Sequence, residues 1–403
     1  MPKTRNKGVT RMSFTQLASD FYGFETKLTE TEREALAGLR AWLESDVKPL
    51  VNDHWDRAEF PRDILPAFHR QPAFGMQWDE TKSFENSAVY RGWVALELAR
   101  VDASIATYVG VQNGLALGAV AVCGSPEQRA EWLPKLASGE VIGAFGLTEP
   151  LSGSDSAQGL RTTATREGDE WVLNGAKRWI GNATFSDITV IWAKDTADGQ
   201  VKGFIVPTST PGYTATKIER KLALRIVQNA DIVLEDVRIP ESLRLQNANS
   251  FRDTAAVLRL TRAEVAWAAV GVAVGAYEAA LAYTQERIQF GKPIASHQLV
   301  QQHLAEMMGN ITASIALCTR VSEMLDEDTQ KDEHAALAKA FATTRMRETV
   351  ARAREVMGGN GIVLDYDVTR FFNDAEALYS YEGTREMNTL IVGRALTGKA
   401  AFV

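Results

Sequence analysis

Hydrophobic positions along the chain change their period twice. From Thr29 onward Leu36, Leu39, Leu43, Val47 and Val51 recur three or four residues apart, the stripe of an amphipathic helix. Thr29 with Glu30, Glu32 and Glu34 predicts an N-cap hydroxyl and an acidic first turn. Helical segments are predicted near 62–71 and over 86–138, the second broken at Gly124-Ser125-Pro126. After Gly139 the pattern turns to short β-prone runs. Glu170–Leu173 and Lys177–Ile180 flank Asn174-Gly175, which predicts a hairpin because Asn-Gly tolerates the positive φ of a tight turn. Ile188–Trp192, Gly203–Val206 and Ile232–Leu234 read as further strands between Gly, Pro and Asp. From about residue 252 long Ala-rich helical segments return, over 252–287, 295–327, 331–357 and 365–401. The expected class is α+β. It comprises a lead-in (1–28), an N-terminal α-helical domain (29–142), a middle β-barrel-like domain (143–251) and a C-terminal four-helix bundle (252–403).

Composition narrows the function classes. With 44 Lys+Arg against 51 Asp+Glu the formal net charge is −7, which argues against a nonspecific nucleic-acid binder. Hydrophobic residues at 45% and charged residues at 24% are ordinary for a packed globular chain. Cys123 and Cys318 are the only cysteines, so neither a disulfide framework nor a Cys-rich metal site is expected, and a reducing compartment fits. The uncharged apolar run Val265–Tyr277 is too short for a membrane helix, so no membrane span is expected. Lys3, Arg5, Lys7 and Arg11 precede no apolar h-region, and the last residues are not a peroxisomal address; a cytoplasmic location is expected.

Several chemistries lack their motifs. No GxGxxG, GxxxxGK[ST] or GxSxG pattern is present. The histidines His54, His69, His297, His303 and His334 include no HExxH pair, so no metal site is expected.

Three other stretches carry chemistry together. They are Gly143-Ala-Phe-Gly-Leu-Thr-Glu-Pro-Leu-Ser-Gly-Ser-Asp155, then Glu286-Arg-Ile-Gln-Phe-Gly-Lys-Pro293 followed by Gln298, then Met357-Gly-Gly-Asn-Gly361 followed by Tyr381-Glu-Gly-Thr384. In this order, on an α-β-α layout, they resemble the acyl-CoA dehydrogenase and oxidase superfamily over about residues 28–401. The resemblance is nearest to the glutaryl-CoA dehydrogenase branch and the plant-type short-chain acyl-CoA oxidases. Arg178–Asp187 and Leu224–Asn229 lean to the latter.

The resemblance implies FAD as cofactor and α,β-desaturation of an acyl-CoA thioester. A base takes the α-proton while hydride passes from the β-carbon to flavin N5. The α-proton is only weakly acidic, so the reaction needs a carboxylate base and donors for the developing enolate oxygen. Glu382 matches the family's base, and its own backbone N–H one of the enolate donors. Phe145, Leu147, Thr148, Gly153 and Ser154 match the flavin-edge segment, with Thr148 toward the N1/O2 side. Trp179, Ile180 and Gly181 match the segment that packs on the flavin. Gly181 replaces the hydroxyl residue of most dehydrogenases, and oxidases also tend to carry glycine there. Arg287, Gln289, Phe290, Gln298, Gly358, Gly359, Gly361 and Thr384 match groups around the FAD, several of them reaching it from a neighbouring subunit. A guanidinium suits a pyrophosphate, and glycines let backbone approach it. Ser154, Arg262, Tyr381 and Gly383 match the CoA and thioester side.

For the acyl group the resemblance is specific. Glutaryl-CoA dehydrogenases place an arginine six residues after the Arg of Arg-Val-Asp. Here that position is Ala106, and the preceding glutamate is replaced by Ala99. Ile105, Ala106 and Val109 then suit an apolar, short to medium monocarboxylic chain. The expected electron acceptor is an electron-transfer flavoprotein, and the expected assembly is a homotetramer. The alternatives are an oxidase using O₂ and, disfavoured by Ala99 and Ala106, glutaryl-CoA dehydrogenation.

Overall fold

The computed structural model describes residues 17–400. Helices α1 (Glu30–Trp42), α2 (Lys48–Arg57), α3 (Leu65–Phe68), α4 (Ala88–Val101), α5 (Ala103–Val109), α6 (Gly118–Cys123) and α7 (Pro126–Ser138) come first. Strand β1 (Gly143–Gly146) and the short α8 (Ser156–Gly159) lead into β2 (Thr163–Glu167), β3 (Glu170–Ile180), β4 (Ile188–Asp195), β5 (Val201–Pro207), β6 (Tyr213–Lys217) and β7 (Ala230–Pro240). The chain closes with α9 (Phe251–Glu286), a two-stranded ribbon β8 (Ile288–Gln289) and β9 (Lys292–Pro293), then α10 (Gln298–Asp326), α11 (Asp332–Val356), α12 (Val368–Ser380) and α13 (Arg385–Thr397).

Local chemistry explains the ends of several elements. Thr29 accepts from the Glu32 backbone N–H while Glu32 accepts from that of Thr29, a capping box that begins α1 as its sequence predicts. The helical stretch over 86–138 breaks at Asp102 as well as at Gly124. The Asp102 carboxylate accepts from Ser104 N and Ile105 N and so caps α5. The C-terminal segment 365–401 is not one helix; it breaks at residues 381–384 between α12 and α13.

The middle strands form one curled sheet. Strand β4 lies between β5 on one edge and, on the other, both β1 and β2 in parallel; β2, β3, β7 and β6 continue antiparallel. The hairpin expected at Asn174-Gly175 is not there. Strand β3 runs straight through both residues, and the turn falls at Gly168-Asp169, with Glu167 paired to Glu170. The Asn174 side chain instead exchanges hydrogen bonds with Asp236 across a bulge in the β3/β7 register. Gly175 serves close approach: a Cβ there would lie 2.7 Å from Thr162 Cα.

Helix α11 packs against α9, α10, α12 and α13, and α9 also packs along α4. The main core therefore runs from the N-terminal helices into the bundle without a gap, with Trp93, Trp267 and Tyr108 fully buried in it. The membrane expectation needs one correction. Ala103–Cys123 has no charged residue, and it and α9 are both long and apolar enough to cross a bilayer by length and composition. Both are mostly buried inside the protein, so the apolar faces are already occupied by its core.

Candidate active site

The break between α12 and α13 positions Glu382. Its backbone sits at φ 53°, a left-handed conformation that costs a non-glycine residue about 1–2 kcal/mol, and Gly383 follows at φ 79°. Side chains from two other helices hold this loop. Thr261 Oγ1, on α9, lies 2.7 Å from Glu382 Oε2 and donates to it. The buried Lys339 ammonium, on α11, donates to the carbonyls of Tyr381 and Gly383. Asn388 Nδ2 adds bonds of 2.8 Å to Gly383 O and 3.0 Å to Thr384 O. Thr384 caps α13, its hydroxyl accepting from Met387 N. Upstream, buried Arg370 on α12 donates to Asp102 Oδ2 at 2.7 Å and to Val101 O at 3.0 Å. The same aspartate caps α5, so the helix leading to Glu382 is bolted to the helix expected to face the acyl chain.

Electrostatics around the loop are mixed. Arg262 is half-buried; burial lowers its pKa, and Asp332 and Glu382 pull the other way. Burial pushes the Lys339 ammonium down to about 8, against the attraction of Glu382. A second carboxyl, Glu264, lies one helical turn beyond Thr261. Dense packing pushes it up to about 7, with Glu382 adding to the rise and Arg91 opposing it. The Cβ that Gly114 lacks would fall 2.7 Å from Thr261 Cγ2 and 3.3 Å from Glu264 Oε2, so Gly114 borders both. Arg259, by contrast, faces Asp332 at 3.6 Å.

The acyl-side residues divide. Ile105 and Val109 turn into the main core, whereas Ala106, Thr107 and Gly110 stay partly accessible along one face. Of the expected chamber residues, Ala106 is thus the one left partly open. Burial pushes the Tyr381 phenol up, with the nearby Thr107 hydroxyl opposing the rise.

A second set of groups surrounds the end of β1. Phe145 and Leu147 are buried in the sheet's core. The Thr148 carbonyl accepts from Arg178 N at 2.8 Å, while its hydroxyl and N–H have no partner among the described residues. Buried Lys177 supports the segment from below, donating to Glu149 Oε1 at 2.8 Å, Leu147 O at 3.3 Å and Trp192 O at 2.6 Å. Burial drives Lys177 down to about 8; it would also raise Glu149, but Lys177 and the Thr162 donors hold that carboxyl below its usual range. Trp179, at φ 65°, is 51% exposed with the Arg178 guanidinium 5.0 Å from its ring. Ile180 and Gly181 are buried, and a Cβ on Gly181 would come within 3.2 Å of Val111 Cγ2 and 3.7 Å of Val227 Cγ1. Those valines, rather than a void, flank the missing side chain. Gly153 and Ser154 are exposed on the loop that follows.

Unpaired donors on Thr148 beside a half-exposed indole fit a planar, hydrogen-bonding ring such as the flavin of FAD. Thr148 would meet its polar edge and Trp179 its face.

The remaining cofactor residues lie elsewhere. Arg287 ends α9, and Gln289 and Phe290 occupy the exposed β8–β9 ribbon, with Phe290 94% exposed and Gln298 exposed at the start of α10. The Gly358–Gly361 turn joins them, because Asn360 Nδ2 donates to Tyr283 OH at 2.9 Å near the same end of α9. From Thr261 to Arg287 is about 26 residues of helix, roughly 39 Å at ~1.5 Å each. Along one chain the Glu382 loop, held by Thr261, therefore stands apart from the cluster around Arg287 and Gly358–Gly361.

Sequence reasoning missed Thr261, Glu264, Lys339 and the Glu149–Lys177 pair. The last had a signal, since Glu149 lies inside the Thr148 motif.

Comparison with known proteins gives the family. The acyl-CoA dehydrogenase N-terminal, middle and C-terminal domains match residues 29–140, 144–237 and 251–397 in turn. The probable acyl-CoA dehydrogenase YngJ of Bacillus subtilis is 38% identical over 376 residues, 92% of this chain and 99% of that protein. The mitochondrial short-chain specific acyl-CoA dehydrogenase of Rattus norvegicus is 35% identical over 371 residues, 91% of this chain and 90% of that one. The crystal structure of glutaryl-CoA dehydrogenase from Mycobacterium smegmatis superposes with a TM-score of 0.92 at 38% identity, covering 96% of this chain and 100% of that one. A glutaryl-CoA dehydrogenase from that organism has also been solved in complex with FADH2. The chain belongs to the acyl-CoA dehydrogenase family of FAD-dependent oxidoreductases.

Proposed function

We propose that this enzyme desaturates a short- to medium-chain monocarboxylic acyl-CoA, with Glu382 as the base, and passes the electrons to an electron-transfer flavoprotein as a homotetramer. The observation that carries the reading is the Glu382 loop. A carboxylate oriented by Thr261 stands beside a backbone N–H that donates to no described residue. A thioester whose carbonyl oxygen met that N–H would present its α-carbon to the carboxylate. Glu382 takes the α-proton as the N–H stabilises the enolate oxygen. FAD supplies the hydride acceptor for the β-carbon. Thr148 and Trp179 would hold it, and Arg287 and the Gly358–Gly361 turn would supply contacts from a neighbouring chain.

One feature favours an uncharged acyl tail: Ala106 offers no counter-charge. Loss of one charged contact to a buried carboxylate is worth about 2–5 kcal/mol, or roughly 30- to 4,000-fold. Val111 and Val227 leave no open space where Gly181 lacks a side chain, which favours a dehydrogenase over an oxidase.

The test is anaerobic mixing with butyryl-CoA, hexanoyl-CoA and glutaryl-CoA, followed by air. The expected result is flavin bleaching by the first two, slow reoxidation in air and fast reoxidation with an electron-transfer flavoprotein. Preference for glutaryl-CoA with CO₂ release overturns the substrate reading. Hydrogen peroxide formed at the turnover rate overturns the acceptor reading.

A further inference from the structure

We infer that Lys339 is a positioning residue that aims the enolate-binding N–H of Glu382, and the inference rests on the function proposed above. Lys339 is buried and reaches from α11 to donate to the carbonyls of both Tyr381 and Gly383, the residues on either side of Glu382. In a trans peptide the C=O and the following N–H point in opposite directions. An ammonium that captures the Tyr381 carbonyl therefore turns the Glu382 N–H away from α11. That N–H is left without a partner among the described residues.

The second bond fixes the other side. Glu382 sits at φ 53° and Gly383 at φ 79°, a pair of left-handed residues that would relax if nothing held their peptides. Asn388 shares the Gly383 carbonyl, so that peptide keeps a donor even without the lysine. The Tyr381 carbonyl has no such second donor among the described residues, so the peptide carrying the Glu382 N–H is the one Lys339 controls. A cation on the carbonyl oxygen also polarises that peptide and makes its N–H a stronger donor. Glu382 and Arg262 are the charged groups that act on the ammonium. Neither forms an ion pair with it, so its donors are free for the two carbonyls.

The test uses the holoenzyme with Lys339→Met and Lys339→Gln, the latter keeping one amide donor. Three quantities are read: FAD per chain, the Kd of S-butyl-CoA, and the rate of anaerobic flavin bleaching by butyryl-CoA. S-butyl-CoA is a thioether without a carbonyl oxygen, so it reports an intact site without using the N–H. The expected result is near wild-type FAD content and thioether affinity. Bleaching should fall on the order of 10²-fold in Lys339→Met, the loss typical of one oxyanion donor, and less in Lys339→Gln. Bleaching by Lys339→Met at the wild-type rate overturns the inference. So does loss of FAD or of S-butyl-CoA binding in both variants, because the lysine would then hold the fold and not aim one peptide. Wild-type enzyme that binds S-butyl-CoA yet is bleached by no acyl-CoA defeats the proposed function instead.

Discussion

Thr261 Oγ1 stands 2.7 Å from Glu382 Oε2 and 3.2 Å from Leu258 O, and its single hydroxyl proton can serve only one of them at a time. Donation to Glu382 fixes the direction of a carboxylate that otherwise has no side-chain donor among the described residues. Thr261→Val keeps the shape and removes the donor. It should leave FAD content unchanged and slow flavin bleaching by roughly 10- to 150-fold, as expected for a hydrogen bond to a charged group worth about 1.5–3 kcal/mol. Unchanged stopped-flow rates would mean that the carboxylate is oriented by other contacts.

Glu382→Gln tests the base itself. It should retain FAD and acyl-CoA but lose about 10²–10⁴-fold or more in the rate of bleaching, the range for a removed general base. Bleaching near the wild-type rate would reassign the base, and Glu264 would be the next carboxyl to test.

The Lys177–Glu149 pair lies under the Thr148 segment with both side chains buried. Lys177→Met leaves Glu149 facing only the Thr162 and Arg161 donors. Removing one partner of a buried pair typically costs about 3–5 kcal/mol. A lowered Tm together with weaker FAD retention is expected. A wild-type Tm would show that the remaining donors suffice for Glu149.

Glu264 gives a pH signature. Its folded value of about 7 is above its ordinary value of 4.5, so its contribution to stability is present below the ordinary value and is lost as pH rises through 7. Between pH 5 and 7 the slope approaches roughly 1.4 kcal/mol per pH unit. Glu264→Gln should flatten that part of the unfolding free-energy profile measured by denaturant titration. Parallel profiles for the two proteins would contradict the raised value.

Arg287 tests the assembly. It lies about 39 Å of helix away from Thr261, so the proposed contact to an FAD beside Glu382 would have to come from another chain. Arg287→Ala should weaken flavin retention and oligomer formation together, because a ligand bound across an interface stabilises it. A monomer by light scattering with a full complement of FAD would refute the shared site.

Much of this was legible in the chain alone. The Thr29 capping box, the α-β-α order and the Tyr-Glu-Gly-Thr, Leu-Thr-Glu-Pro and Met-Gly-Gly-Asn-Gly stretches are local in sequence. Periodicity and caps act over a few residues, so they can be read without a fold. The Asn174-Gly175 hairpin shows where local reading stops. The pair has turn chemistry, yet the Asp236 backbone on β7 and the close approach of Thr162 decide that the strand continues through a bulge. The active-site neighbours were beyond local reading for the same reason. Thr261 meets Glu382 across 121 positions, and Lys339 meets the Tyr381 carbonyl across 42. In the sequence Lys339 is a lysine in an Ala-rich helix, where a solvated cation is the ordinary expectation. Only the packing of α11 against α12 and α13 buries it. A buried ammonium must then find acceptors, and the two carbonyls beside Glu382 supply them.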